Sequence, residues 1–407
     1  MLVELGISIG IVYGINYICS DVRKFTKSFN EIMEGLGLKN KVGNTFTIKK
    51  VESTANGYRA ILNIPKGLSA DSLKNKVNVL EDNFNSIVSI DKSKFNPYIV
   101  LRVVNKDISK FWFKPVKCKA NELYIGKDFK GDNYFINLDT NSMILIAGAT
   151  GYGKSMLLAS LLTNLIYNSS KDVELYLTQL IKGEISSFEE CSAVRFTAYT
   201  EEELVIAAKM VRDKIDKRTK LFKEYGIRNI VQWNKHFPRR KMKRVILVCE
   251  EMSELMELDI WSEIWSIVKA GRSVGVHLIG ALQRTTSTNL DTNVKSQMTR
   301  ITFHQNSIID SQNVINSNSA IELKRGECIV CGNKGEVKVK VPFIDDNFVV
   351  LNKFVPGIII PSGKKRKNNK EDLLKVNHKD INIDTGKKVK KGFVSLEDIK
   401  EYDNGKG

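Results

Sequence analysis

Hydrophobic and polar positions alternate with the period of strands over Thr45–Thr54 and again over Tyr58–Pro65. Ala55-Asn56-Gly57 lies between them, and Asn-Gly is a strong hairpin signal. Ser69–Asn85 then changes to helical spacing, with Leu73, Val77, Leu80 and Phe84 on one face, a Ser cap and Asp71 in the first turn. Ser86–Ile90 and Tyr98–Val104 predict two more strands. The result is a ββαββ-like unit of about 70 residues, large enough to bury a small core. It is preceded by an amphipathic helix and connector over Val22–Asn44.

From Asn121 strands and helices alternate. Met143–Ala147, Val173–Leu177, Arg244–Cys249, Val276–Leu282 and Arg300–His304 are apolar runs of strand length. Lys154–Tyr167, Glu201–Tyr225 and Ile260–Ala270 carry helical spacing. That order predicts an α/β domain with a mainly parallel sheet covered on both faces. Past Pro361 the chain turns Lys-, Asn- and Asp-rich, starting at Gly363–Lys367, and predicts a largely disordered basic tail with one short helix near Ser395–Tyr402. The expected division is 1–20, 21–44, 45–120, 121–345 and 346–407.

The apolar stretch Leu5–Cys19 spans about fifteen residues, short of the ~20 that cross a bilayer upright. Gly6, Gly10 and Gly14 give it a close-packing stripe. Arg23, Lys24 and Lys27 follow and would hold the rest on the cytoplasmic side. It predicts a single short membrane anchor, or else an apolar helix packed on the protein or on another subunit. The location expected is the cytoplasmic face of the cell membrane or the cytoplasm.

Composition adds a partner class. The 407 residues hold 63 Lys and Arg against 46 Asp and Glu, a net charge of +17. That surplus points to a polyanion, nucleic acid or anionic membrane, and excludes neither. Hydrophobic residues make up 42%, which excludes a fully disordered chain and a polytopic membrane protein. The six cysteines include one close pair, Cys328 and Cys331. With no second pair and scattered histidines, reduced thiols are the simpler reading than zinc.

The chemistry is concentrated at Gly148, Ala149, Thr150, Gly151, Tyr152, Gly153, Lys154 and Ser155, which fit the phosphate-binding loop G-x-x-x-x-G-K-[ST]. Its glycines permit a tight turn whose N–H groups face phosphate oxygens. Lys154 brings charge to the β- and γ-phosphates of ATP, and Ser155 offers a hydroxyl to Mg²⁺. Val245–Glu251 adds a strand ending in two carboxylates. Glu250 would help hold Mg²⁺ and Glu251 would polarise the attacking water. The plainer account of such a pair is a helix start favoured by the dipole. Gln283 ends the next apolar strand.

Together these motifs resemble the motor domain of FtsK/SpoIIIE-type DNA translocases of the HerA/FtsK superfamily. Val248-Cys-Glu-Glu-Met-Ser-Glu-Leu-Met256 is similar to the family's acidic strand and following helix. Ala270–Arg284 is similar to its Arg–Gly–His–Leu…Gln–Arg segment, and Arg218–Asn229 to its long helix with a Gly–x–Arg–Asn ending. Tyr58–Ser69 resembles the small domain ahead of the motor in coupling proteins of Gram-positive conjugative plasmids and integrative elements. The resemblance covers about 121–345. It implies a RecA-like P-loop motor, a ring hexamer with ATP between subunits, and an arginine reaching in trans, Arg272 first and Arg300 second. Gln283 would sense the γ-phosphate or orient water. Lys295, in the loop Thr285–Thr299, would face DNA through backbone contacts blind to sequence, and Lys182 would face DNA or a neighbouring nucleotide. Glu250 stands where the family usually has Asp, and Leu180-Ile-Lys182 lacks the family's Asp before its Lys. The implied role is ATP-driven DNA translocation, as the coupling motor of a conjugative channel with relaxase and channel proteins as partners. The alternatives are segregation, protein secretion, and nucleotide-dependent relaxase recruitment with little hydrolysis.

Overall fold

The computed structural model describes residues 21–54, 56–141, 143–180, 185–252, 261–282, 297–332 and 335–360. The apolar stretch Leu5–Cys19 and the tail from Gly363 lie outside the described residues. Among the described residues, no helix is long and apolar enough to cross a membrane.

Helix α1, at 21–35, presents Phe25, Phe29 and Met33 to the core of the small module. Strands β1 (Thr47–Thr54) and β2 (Gly57–Asn63) form the expected hairpin, with Thr54 opposite Gly57. Gly57 is required there: a Cβ would meet the Val103 carbonyl oxygen at 2.0 Å. The helix expected over Ser69–Asn85 is two helices instead, α2 (Ala70–Lys74) and α3 (Val77–Phe84). Ser69 caps the first in a capping box, and the polar pair Asn75-Lys76 interrupts the apolar face. Strands β3 (Ile87–Asp91) and β4 (Tyr98–Val104) complete an antiparallel sheet in the order β1-β2-β4-β3.

The larger domain is built on ten strands in the order β6-β5-β14-β13-β12-β7-β11-β10-β8-β9. Six are mutually parallel: β12 (Thr299–Thr302), β7 (Met143–Ala147), β11 (Val276–Leu282), β10 (Arg244–Cys249), β8 (Val173–Thr178) and β9 (Val194–Ala198). The other four, β13 (Glu327–Gly332), β14 (Gly335–Lys340), β5 (Glu122–Asp128) and β6 (Asn133–Asn137), extend it antiparallel. The parallel part matches the expectation, and the antiparallel flank was not foreseen. Every residue of β7, β10 and β11 is buried, as strands covered on both faces require.

Helix α4 (Lys154–Ser169) is buried along most of its length. On the other face of the sheet lie α5 (Glu201–Glu224) and α7 (Trp261–Val274), with α6 (Ile230–His236) at the end of α5. The packed chain continues past the expected boundary at 345, because Leu351, Val355 and Ile358 join the core around α4.

The small module meets the larger domain at the turn after β5. Asn56 donates to the Phe129 carbonyl (2.6 Å), Lys130 pairs with Asp91 (3.1 Å), and Arg102 pairs with Asp132. β5 runs antiparallel to β14, and the antiparallel steps through β13 to β12 put this turn at the N-terminal edge of the parallel strands.

Cys328 and Cys331 sit three residues apart on β13 and face opposite sides of the sheet, one in each core. They therefore do not converge on one ion. Burial raises the thiol pKa values of Cys191 and Cys249 to about 12, and pushes Cys328 up as well. All three should stay unmodified by iodoacetamide at pH 8 in the folded protein and react fully once it is unfolded, which intact-mass and peptide mass spectrometry read directly.

Candidate active site

The phosphate loop leaves β7 at the centre of the sheet, between β11 and β12. Three glycines, Gly148, Gly151 and Gly153, have φ of 143°, 84° and 122°. These are values L side chains adopt only under strain. At Gly148 a Cβ would also lie 2.7 Å from the Phe303 Cβ. The loop thus presses directly on the end of β12, and only glycine fits.

That strand end walls the loop. The Phe303 N–H donates to the Ala147 carbonyl (2.8 Å), and the Ala149 N–H donates to the His304 carbonyl (2.8 Å). The His304 ring stacks on Tyr152 with centroids 4.2 Å apart. On its far side the Tyr152 carbonyl accepts from the Gly326 N–H (2.9 Å). Motif reasoning did not find Phe303 and His304, since their role arises from strand pairing across about 150 residues of chain. Lys154 bends back to donate to the carbonyls of Gly148 and Ala149. Ser155 stands in the first turn of α4, beside the loop. There the helix N-terminus adds positive potential.

The acidic strand β10 lies two places from β7, with β11 between them. Two inter-strand spacings amount to about 10 Å, a gap that a triphosphate and its metal span. Register puts Cys249 beside Gly280, and Leu282 beside Ala147. Glu250 is buried just past Cys249, and its N–H donates to the Thr178 carbonyl (3.2 Å). Glu251 follows, half-buried. The glycine-shaped loop, the lysine, the Ser155 hydroxyl and the buried carboxylate form a donor set that fits a nucleotide phosphate chain with Mg²⁺.

The other expected residues are distributed as follows. Gln283, Lys295 and Lys182 lie outside the described residues. Arg272 is exposed in the last turn of α7, at the N-terminal edge of the sheet and therefore away from its own loop. Arg300 is engaged within its own chain. Its Nη1 donates to the Val314 carbonyl (2.7 Å) and its Nη2 to the Cys331 sulfur (3.3 Å).

Residues 115–279 match the profile of the FtsK/SpoIIIE family. The chain is 27% identical over 270 residues to the DNA translocase FtsK of Clostridium tetani, covering 61% of this chain and 36% of that protein. It is also 27% identical over 235 residues to the DNA translocase SftA of Bacillus subtilis, covering 54% of this chain and 25% of that one. The chain thus spans well under half the length of these relatives. Among solved structures, the pCW3 conjugation coupling protein TcpA, in a monomer form with ATPγS, aligns with a TM-score of 0.54 at 21% identity, over 81% of this chain and 98% of that one. EssC (ATPases 2 and 3) from Geobacillus thermodenitrificans aligns with a TM-score of 0.55 at 16% identity, over 62% and 51%. These two likenesses concern the fold.

The Gly148–Phe303 contact sets an expectation. Gly148→Ala forces a left-handed alanine against β12, at a cost of about 1–3 kcal/mol. It should weaken nucleotide binding by about tenfold or more with helix content unchanged, as titration of a fluorescent ATP analogue and circular dichroism would show.

Proposed function

We propose that this chain, an FtsK/SpoIIIE-type protein over residues 115–279, is an ATP-driven DNA translocase. The observation that carries the reading is the shared edge of β7, β11 and β10. It joins a phosphate loop held open by three left-handed glycines to a buried Glu250 and a half-buried Glu251. The loop amides and Lys154 would bind the phosphates of ATP. Ser155 and Glu250 would hold Mg²⁺, which supplies charge neutralisation on the phosphate oxygens. Glu251 would accept the proton of the attacking water, and Gln283 would orient it.

Hydrolysis in such an arrangement gains from a cation supplied by a neighbouring copy. Arg272 is exposed and distant from its own loop, which supports a role in trans. Arg300 is the weaker candidate, because its guanidinium is spent on Val314 and Cys331. A ring of six copies would pair each loop with a neighbour's arginine. Lys295 and Lys182 would then contact the phosphate backbone of DNA without reading bases.

The finer role we propose is delivery of DNA to a conjugative channel, with relaxase and channel proteins as partners and residues 5–19 as the anchor. Two features support it: the small module ahead of the motor, and the fold likeness to a conjugation coupling protein over nearly all of that solved chain. A protein-pumping motor has the EssC likeness in its favour. A nucleotide-dependent relaxase recruiter would share the loop and need little turnover.

ATPase rate against added DNA separates these. Turnover should rise several-fold with long DNA and fall as salt is raised. Lys154→Ala and Glu251→Gln should each lower turnover by about a hundredfold or more. Wild-type turnover in either variant refutes the site assignment. Turnover indifferent to DNA favours the protein-pumping reading, and no turnover at all favours recruitment.

A further inference from the structure

One stretch holds more than half of the chain's charge surplus. Residues 217–243 contain ten Lys and Arg against a single Glu, in a chain whose total is +17. They cover the last turns of α5, all of α6 and the helical turn Pro238–Arg240 that leads into β10.

An aromatic cluster folds this stretch into one knob. Trp233 lies 5.6 Å from Phe222, 5.5 Å from Tyr225 and 4.4 Å from Phe237, ring centroid to ring centroid. The Trp233 indole N–H donates to the Arg240 carbonyl (2.8 Å). The Asn234 amide holds both main-chain groups of Met242, at 3.0 and 2.7 Å. The basic turn is therefore fixed from inside by aromatic packing and three hydrogen bonds. Its side chains face outward: Lys220, Lys223, Arg228, Lys235, Arg239, Arg240 and Lys241 are all exposed, and so is half of Tyr225.

These seven charges also lack a carboxylate partner among the described residues. Elsewhere among the described residues cations pair with carboxylates, as in Lys27–Glu31, Lys74–Asp71, Lys130–Asp91, Lys214–Glu174 and Lys340–Asp107. None of these seven cations, from Lys220 to Lys241, has such a pair among the described residues. Seven like charges on one rigid knob repel one another, a cost that a polyanion on the outside would relieve. The rigid spacing and the exposed Tyr225 ring suit a phosphate backbone with bases at hand.

We propose that this knob is a second DNA-contact surface of the chain, binding phosphates without regard to sequence. This rests on the translocase reading above and adds a place to it. The knob stands at the N-terminal edge of the parallel strands, where α5 ends and β10 begins. The phosphate loop leaves the opposite edge.

The test is DNA binding by fluorescence anisotropy across a salt series, using the full chain. In the variant Lys235→Ala/Arg239→Ala/Arg240→Ala/Lys241→Ala, affinity at about 0.1 M salt should fall by about tenfold or more. The slope of log K against log salt should flatten by about 2–4. A control that removes the same charge elsewhere, Lys24→Ala/Lys27→Ala/Lys39→Ala/Lys41→Ala, should change affinity less than threefold. Thermal melting and turnover without DNA report that each variant is folded. If the wild type binds DNA and the knob variant binds it equally well, the proposal is overturned and the translocase reading stands. If the wild type binds no DNA, both fall. Vesicles of phosphatidylcholine with and without phosphatidylserine form the last arm. Loss of phosphatidylserine binding in the knob variant, with DNA affinity intact, would assign the knob to a membrane and overturn the proposal.

Discussion

Where β7 runs out into the phosphate loop, its neighbour β12 goes on hydrogen-bonding to it, through Phe303 N–H to Ala147 and Ala149 N–H to His304. A loop of glycines has little conformation of its own, since glycine loses more freedom on folding than any other residue. These two bonds, with the Phe303 side chain against Gly148 and the His304 ring on Tyr152, give the loop one shape. The shape then fixes where Lys154 and Ser155 emerge, and the parallel register carries that edge across β11 to the Glu250–Glu251 pair. The site is thus an edge property of the sheet, set by backbone pairing and filled in by side chains.

The parallel strands were legible because each is an unbroken apolar run, as burial on both faces demands. β7, β10 and β11 begin and end where the sequence pattern does. The antiparallel flank was not. β14 alternates lysine and valine on a half-open strand, and β5 and β6 are short and polar at their ends, so local pattern does not separate them from loop. The helix over Ser69–Asn85 was read as one because its apolar spacing is continuous. The break falls at the polar pair Asn75-Lys76, which ends the first helix and precedes the second.

The candidate site divides the same way. The loop and the carboxylate pair carry their chemistry in adjacent residues and are visible in sequence. Phe303 and His304 carry theirs only through the neighbour they pair with. The cations of 217–243 are plain in the sequence, but they are spread over a helix end, a second helix and a turn. The Trp233 cluster, which spacing alone does not reveal, is what gathers them.

The small module has its own core, built from α1, α2, α3 and its four strands, with none of those residues shared with the cores of the larger domain. Its links to the turn at 128–132 are polar: an amide on a carbonyl and two ion pairs that are in part exposed. Such pairs contribute little when exposed and fade with ionic strength. Cohesion within each body therefore greatly exceeds cohesion between them. The two bodies are expected to melt as separate cooperative units, so a single midpoint of thermal unfolding would not describe the chain. The unit that holds the phosphate loop can stay folded after the other has melted.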